Sequence, residues 1–424
     1  MAESLDLRRY LDVAFFHHLY GWYWFLKGNA KQSYEHMRLA VEYAKRAGTP
    51  YFILHGRVEY YRNQYHRGEI AACLSGLDEV KKAAHDIGAN TVLYVASLLH
   101  AQVAHEQGNP QECLTQLRAG LALGRTYGFL NHTWWLPTTM SHLYALALEH
   151  GIETDYVEKL IRLRKLPPAT DATVDDTWPR PLRIHTLGRF ALVKNDKPLV
   201  FSGKTQKKPL ELLKAIIALG GRNVSEDKLI DSLWPDSEGD MAKQNLKSTV
   251  YRLRKLLEPQ ALQWSEGKLT LDSRYCWVDI WVLERKLDAV LQKAPDNPTS
   301  LEREWKGMNQ LYHGSFLQGE DKPYVLGPRE RLRCKMLRAI TLIAERFFAQ
   351  ADYEQAITLF RQGLDIEPLA ECFYQSIMQC QQALDRPAEA LSTYEHYRQT
   401  MRNLLGTAPS PEIAALAASL QSRG

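Results

Sequence analysis

Between Met241 and Leu257 the chain reads MAKQNLKSTVYRLRKLL, with three lysines, two arginines and no acid. Set at 100° per residue on a helix, Leu246, Val250, Leu253 and Leu257 make one apolar stripe, flanked by Thr249 and Leu256. Gln244, Lys247, Ser248, Tyr251, Arg252 and Lys255 fall on the opposite side. A solvated helix ordinarily mixes its signs to gain i,i+4 pairs. This one does not. Cations interleaved with neutral hydrogen-bonding side chains suit a surface that lies on phosphates and base edges. Lys247, Arg252 and Lys255 are assigned mainly to phosphates, and Gln244, Ser248 and Tyr251 are candidates for base edges. Arg254, nearer the apolar stripe, is expected to pair inside its own domain.

The neighbouring elements decide what such a helix could reach. Leu166 to Pro181, LPPATDATVDDTWPRP, has four prolines and no periodicity, which marks a linker over 167–181. Strand-like alternation follows from Arg183 to Phe190, then a short strand through Leu192 and Val193. Asn195-Asp196-Lys197-Pro198 makes a turn, and Leu199-Val200-Phe201 is a third strand. A helix is expected over about Gln206 to Leu219, with Leu210, Leu213, Ile216 and Ile217 inward and Gly220-Gly221 as its stop. A second runs from Ser225 to Trp234, before Pro235, and Asp240 is placed to cap the basic helix. Leu262–Trp264, a turn at Ser265–Lys268 and Leu269–Leu271 form a hairpin, and Tyr275 to Val278 adds a last strand. A small sheet, three helices and a hairpin in that order predict a winged helix-turn-helix over 182–280. In that fold the third helix enters the major groove of double-stranded DNA and the hairpin reaches the backbone or the minor groove. Lys268 and Arg274 are then phosphate candidates on the wing, while Lys204, Lys207 and Lys208 are as readily explained as solvated charges. Gly203-Lys204-Thr205 looks like the end of a phosphate-binding P-loop, but Pro198 stands where the first glycine is required, so no nucleotide site is assigned.

Upstream, the sequence repeats itself every 40 residues. Gly28-Asn29 recurs as Gly68-Glu69 and Gly108-Asn109, and Gly48, Gly88 and Gly128 close the matching segments. Within them Tyr34, Met37 and Ala44 correspond to Leu74, Leu77 and Ala84, and to Leu114, Leu117 and Gly124. The small last member lets a neighbouring helix come close. Partner helices are expected at roughly 10–27, 51–67, 91–107 and 131–149, with a short one at about 153–164. Residues 1–166 therefore read as a tetratricopeptide-like αα-solenoid of about four hairpins. Its aromatic cluster (Phe15, Phe16, Tyr20, Trp22, Tyr23, Trp24, Phe25) and the Trp134-Trp135-Leu136-Pro137 turn are read as packing or as a face covered by a neighbouring domain, ahead of a ligand-stacking surface. His17-His18 lacks a third ligand at i+4 and is not read as a metal site. The first helix begins almost at Met1 with no capping segment, as expected of a stretch cut from a longer chain.

The phrases LGRFALVKNDKPLVF, SLWPD and LKSTVYRLRKLLEP resemble the OmpR-type winged helix of the Streptomyces antibiotic regulatory protein family, in which an all-helical bacterial transcriptional activation domain follows. The rest of the chain agrees. Helices are expected over Trp281–Leu291, from about Leu301, and from Lys322 through Gln350, with a break at Ala294–Pro298. Ala351–Ala356 matches Asp385–Ala390 at an offset of 34, and Phe360 corresponds to Tyr394. GLDIEPLAECFY and LLGTAPSPEIAALAASL resemble endings of that activation domain, so the resemblance spans about 183–424. The 40-residue array resembles the helical repeats of large ATP-dependent bacterial regulators, but no NTPase module is present and no ATP switch is assigned.

Composition bounds the function. The net charge is +4 over 424 residues, while 180–280 alone carry +6, so the basic excess is local. Cys73, Cys113, Cys276, Cys334, Cys372 and Cys380 are scattered, as expected of reduced thiols in a cytoplasmic protein. There is no signal peptide and no apolar run of membrane-spanning length. No nucleophile elbow, HExxH or glycine-rich phosphate loop occurs, so neither an enzyme nor a cofactor is expected. The expected fold is mainly α: an N-terminal αα-solenoid over 1–166, a central α+β winged helix over 182–280, and a tetratricopeptide-like helical activation domain over 281–424. The expected function is a bacterial transcriptional regulator, an activator, that binds promoter double-stranded DNA as a homo-oligomer on repeated half-sites. RNA polymerase and a small-molecule or protein effector on the N-terminal repeats are the other expected partners, with no membrane. The alternatives are an interaction scaffold or ligand-sensing adaptor whose winged helix is a docking surface.

Overall fold

The computed structural model describes residues 7–168, 177–201, 206–237, 239–293 and 297–421. Gly203-Lys204-Thr205, most of the linker and the Ala294–Asp296 break lie outside the described residues. The chain divides into two compact units, Met1–Pro179 and Arg180–Gly424. No helix among the described residues is long and apolar enough to cross a membrane.

The first unit is all helix. α1 (Leu7–Leu26) and α2 (Ala30–Arg46) make a hairpin, followed by α3 (Pro50–His66) with α4 (Ile70–Asp86), and α5 (Asn90–Glu106) with α6 (Pro110–Tyr127). α7 (Pro137–Glu149) and α8 (Thr154–Arg164) form the last pair. The breaks follow from glycines spaced 20 apart: Gly28, Gly48, Gly68, Gly88, Gly108 and Gly128 all take positive φ, which ends one helix and frees the next. Asn29 and Asn109 then cap, each side chain accepting a backbone N–H three residues on. Met37, Leu77 and Leu117 are fully buried, as are Ala84 and its counterparts Ala44 and Gly124. At Gly124 a Cβ would run into the Tyr156 hydroxyl, so the small residue is what admits α8. Trp178, at the far end of the linker, is buried in this same core and donates to the Leu166 carbonyl at 3.2 Å.

The aromatic cluster of α1 splits by side. Trp22 and Phe25 pack on Trp134, which is buried, whereas Phe15, Phe16, Tyr20 and Tyr23 are exposed. Packing accounts for the first set and not the second.

The second unit opens on β1 (Leu182–His185), β2 (Ala191–Lys194) and β3 (Lys197–Pro198). α9 (Lys207–Ala218), β4 (Val224–Ser225), α10 (Glu226–Leu233) and α11 (Gly239–Leu256) follow. β5 (Leu262–Ser265), β6 (Lys268–Leu271) and β7 (Cys276–Val278) complete the strands. One sheet has the order β3-β2-β1-β7, with β7 parallel to β1, and the other β4-β6-β5. Three expected boundaries move. The strand expected at Leu199–Phe201 pairs instead over Lys197–Pro198, because Asn195 and Asp196 both take positive φ and reverse the chain in two residues. Pairing then runs out after the Leu199 N–H bonds the Leu192 carbonyl. Tyr275 spends its N–H on the Asp272 carbonyl, so the last strand starts one residue later. Asp240 sits inside the first turn of α11 rather than ahead of it, where an acid still faces the positive end of the helix dipole.

Helices α12 (Asp279–Gln292), α13 (Pro298–Asn309), α14 (Pro323–Ala349), α15 (Tyr353–Ile366), α16 (Glu371–Ala383), α17 (Pro387–Leu405) and α18 (Pro411–Gln421) make up the remainder. The 34-residue offset holds in three dimensions: Ala356 on α15 and Ala390 on α17 are both fully buried. One continuous core runs from Leu182 in β1 through the winged-helix elements to Cys380 in α16. The sheet, the three helices and the C-terminal helices therefore share an interior.

Candidate nucleic-acid interface

α11 is held by the stripe read from its sequence. Leu246, Val250, Leu253 and Leu257 are at most 1% exposed and belong to the core shared with Leu212, Leu213 and Ile216 of α9. Ala242 and Thr249 are buried as well, and the Thr249 hydroxyl is spent on the Asn245 carbonyl at 2.7 Å. The face turned outward consists of Lys243, Gln244, Lys247, Ser248, Tyr251 and Lys255. Tyr251 is 62% exposed, which for a tyrosine on a helix with an available core leaves most of its ring unburied. The Lys255 ammonium lies 4.5 Å from that ring, one helical turn on, so the two side chains rise together from the surface.

Arg252 is half-buried. Its guanidinium lies along the helix, 3.4 Å from the Ser248 carbonyl and 3.3 Å from the Thr249 hydroxyl. Arg254 points the other way and donates to the Leu262 carbonyl at 3.1 Å, tying α11 to the hairpin. Among the described residues no carboxylate comes within ion-pair distance of Lys243, Lys247, Arg252, Lys255 or Lys268. That absence separates this face from the rest of the surface, where arginines and lysines are repeatedly paired at i,i+3 or i,i+4.

The β5–β6 hairpin turns through Glu266 and Gly267, both at positive φ, and Lys268 is exposed beside its tip. Arg274 is placed differently from its expected position on the wing. It lies in the turn between β6 and β7, at the opposite end of the hairpin from the tip. Its guanidinium is committed to Asp272, at 2.7 Å from one oxygen and 3.1 Å from the other. Burial alone would raise the Asp272 carboxyl, but the hydrogen bonds and charge of Arg274 hold it below the usual carboxylate range. The pairing reflects a spacing of two residues across a tight turn, which the sequence contained but charge counting passed over. Lys243 is the opposite case. It shares the outward row with Lys247, Tyr251 and Lys255 at i,i+4 intervals, and that spacing alone would have selected it.

The chain is similar to several known proteins. The family described as "Bacterial transcriptional activator domain" matches residues 278–421. Regulatory protein AfsR of Streptomyces griseus is 25% identical over 251 residues, which covers 59% of this chain and 25% of that protein. Regulatory protein AfsR of Streptomyces coelicolor is 25% identical over 247 residues, covering 55% and 24%. The chain thus spans about a quarter of the length of the curated relatives it matches. Among solved structures, Mycobacterium tuberculosis EmbR in complex with a low affinity phosphopeptide aligns with a TM-score of 0.46 and 21% identity, over 58% of this chain and 66% of that one. Residues 278–421 thus match a bacterial transcriptional activator domain, and the chain is similar to regulatory proteins of Streptomyces. In this it resembles regulators of the Streptomyces antibiotic regulatory protein type.

Proposed function

We propose that residues 182–280 are a sequence-specific DNA-binding domain that sets α11 in the major groove of promoter DNA. The observation that carries this reading is the outward face of α11: a row of unpaired cations with neutral hydrogen-bonding side chains between them, on a helix anchored by four fully buried apolar residues. Lys247 and Lys255, with Lys243, would neutralise phosphates, and Arg252 would swing from its intrahelical hydrogen bonds to join them. Gln244, Ser248 and Tyr251 would meet base edges. Lys268 would reach a phosphate from the hairpin tip. Arg274 has a smaller part, since Asp272 already holds it.

In this reading 167–181 is the linker, 281–424 is the activation domain that engages RNA polymerase, and 1–166 is a helical repeat domain for effector or oligomer contacts. The protein would act in the cytoplasm, as an activator, with copies side by side on repeated half-sites. The shared core of the winged helix and the C-terminal helices supports a mechanical part of this account, because the DNA-reading helix and the helical domain then move as one body. Selection of bound duplexes from a random pool, followed by footprinting, tests it. Enrichment of one motif repeated at helical spacing is expected; a pool that stays random contradicts specific recognition.

A further inference from the structure

The segment between α6 and α7 reaches back to α1 and α3. Thr133 Oγ1 lies 3.0 Å from His55 Nε2, and the Trp134 ring stands 4.9 Å from Trp22 and 5.1 Å from Phe25. Trp134 is 2% exposed and has a φ of 61°, a left-handed conformation that strains a bulky residue and concentrates at functional sites. Two cavities flank this contact. One, of about 290 Å³, lies among Ala14, Phe15, Tyr51 and Phe52; the other, of about 350 Å³, lies among Trp22, Asn131, Trp135 and Arg164. His18 and Thr133 line both. His18 is 6% exposed, yet its Nε2 has no hydrogen-bond partner. Buried polar atoms are nearly always satisfied, so an orphan on a cavity wall points to a ligand atom. A separate void of about 10 Å³, room for about one water, lies behind His132 and Trp134. His18 does not border it, so the His18 orphan belongs to the larger cavities.

We propose that these two cavities form one binding site, centred on His18, for a small uncharged heteroaromatic molecule. The walls set the ring. Phe15, Tyr51 and Phe52 on one side and Trp22 and Trp135 on the other offer π faces for a planar system. The charges set the rest. No carboxylate lines either cavity among the described residues, so a cation finds no partner. Among the described residues the one cation at the rim, Arg164, is already placed 5.4 Å from the Trp135 ring and bonded to the Leu130 carbonyl. Burial pushes His18 down to about 3 and both His55 and His132 to about 4, so all three imidazoles are neutral; Thr133 already engages His55 Nε2 and His132 Nδ1, which leaves the Nε2 atoms of His18 and His132 unspent. Such a wall reads the edge of a heterocycle and discriminates against anions. This site is independent of duplex binding by α11.

The test uses the full chain and calorimetric titration with adenosine, uridine, riboflavin, nicotinamide and indole-3-carboxamide, each up to about 1 mM, beside AMP and maltose as charged and non-aromatic comparators. At least one of the five uncharged heteroaromatics is expected to bind saturably, with about tenfold or greater loss in His18→Phe and in Thr133→Val. Thr133 is exposed, so its variant keeps the fold and decides the matter if His18→Phe melts early. Binding by none of the five, binding unchanged in the folded variants, or a preference for AMP or maltose overturns the proposal.

Discussion

The Asp279 carboxylate accepts the Thr186 backbone N–H at both oxygens, 2.9 and 2.7 Å away, and the Thr186 hydroxyl at 2.6 Å. The same group takes the N–H of Leu187 at 3.0 Å and of Ile280 at 2.8 Å. Asp279 and Thr186 are both buried, so one side chain closes the end of β1 onto the start of α12. This is the seam at which the winged helix meets the C-terminal helices. Asp279→Ala would leave several buried donors unmatched and is expected to destabilise the second unit by about 3 kcal/mol or more in urea unfolding. A loss under about 1 kcal/mol would mean that the seam does not depend on this carboxylate.

The neighbouring contact is steric. Gly188 has a φ of 82°, and a Cβ there would stand 2.9 Å from the His313 carbonyl oxygen, a backbone atom that cannot swing aside. Its N–H bonds the Ser315 carbonyl, and the Leu317 N–H bonds the Thr186 carbonyl. Gly188→Ala is expected to cost about 2 kcal/mol, from left-handed strain and the clash together. Thermal unfolding would register the cost as a lower Tm; an unchanged Tm would show that the 313–317 strap yields freely.

Arg274 and Asp272 make a pH-dependent contribution. The folded Asp272 carboxyl lies below its ordinary value of 3.8, so its stabilisation is complete above that pH and is lost as pH falls further. Arg274→Ala should therefore lower stability near neutrality and converge on the parent protein in strong acid. Its effect on duplex affinity should be much smaller than that of Lys247→Ala. Equal effects would reinstate Arg274 as a phosphate contact.

Three histidines of the first unit act in the other pH range. His18 is held near 3 and His55 and His132 near 4, against 6.5 when unfolded. Below 6.5 the unfolded chain takes up protons that the folded unit refuses, so stability falls as pH drops. Between pH 7 and 5.5 each such histidine is expected to cost about 1 kcal/mol. His18→Phe should flatten the profile by one share, if the fold tolerates it. A stability profile level across that interval would show that the imidazoles protonate in place.

Much of this was legible from residue order, and the reasons are local. The stripe Leu246, Val250, Leu253 and Leu257 fixes which side of α11 is buried, because helical period and apolar type leave one solution. The 40-residue period gave the helical hairpins because glycines at positive φ punctuate them. What could not be read were relationships between distant or competing partners. Arg274 looks like a wing cation until the turn brings Asp272 onto it. Trp134 reads as one aromatic among many, and only tertiary folding carries it 112 positions back along the chain to Trp22. Asp279 and Thr186, 93 residues apart, carry no pattern that announces a shared seam. Lys243 was within reach of spacing arguments, since it lies four residues before Lys247 on the same row.

The most direct measurement of the central claim is the affinity of the full chain for its selected duplex as a function of salt. If Lys243, Lys247, Lys255 and Lys268 each displace counterions from DNA, log K should fall linearly with log salt between about 50 and 200 mM, and Lys247→Ala should make the slope shallower by about 1. An affinity indifferent to salt, or a slope that Lys247→Ala and Lys255→Ala both leave unchanged, would contradict the assignment of α11 to DNA.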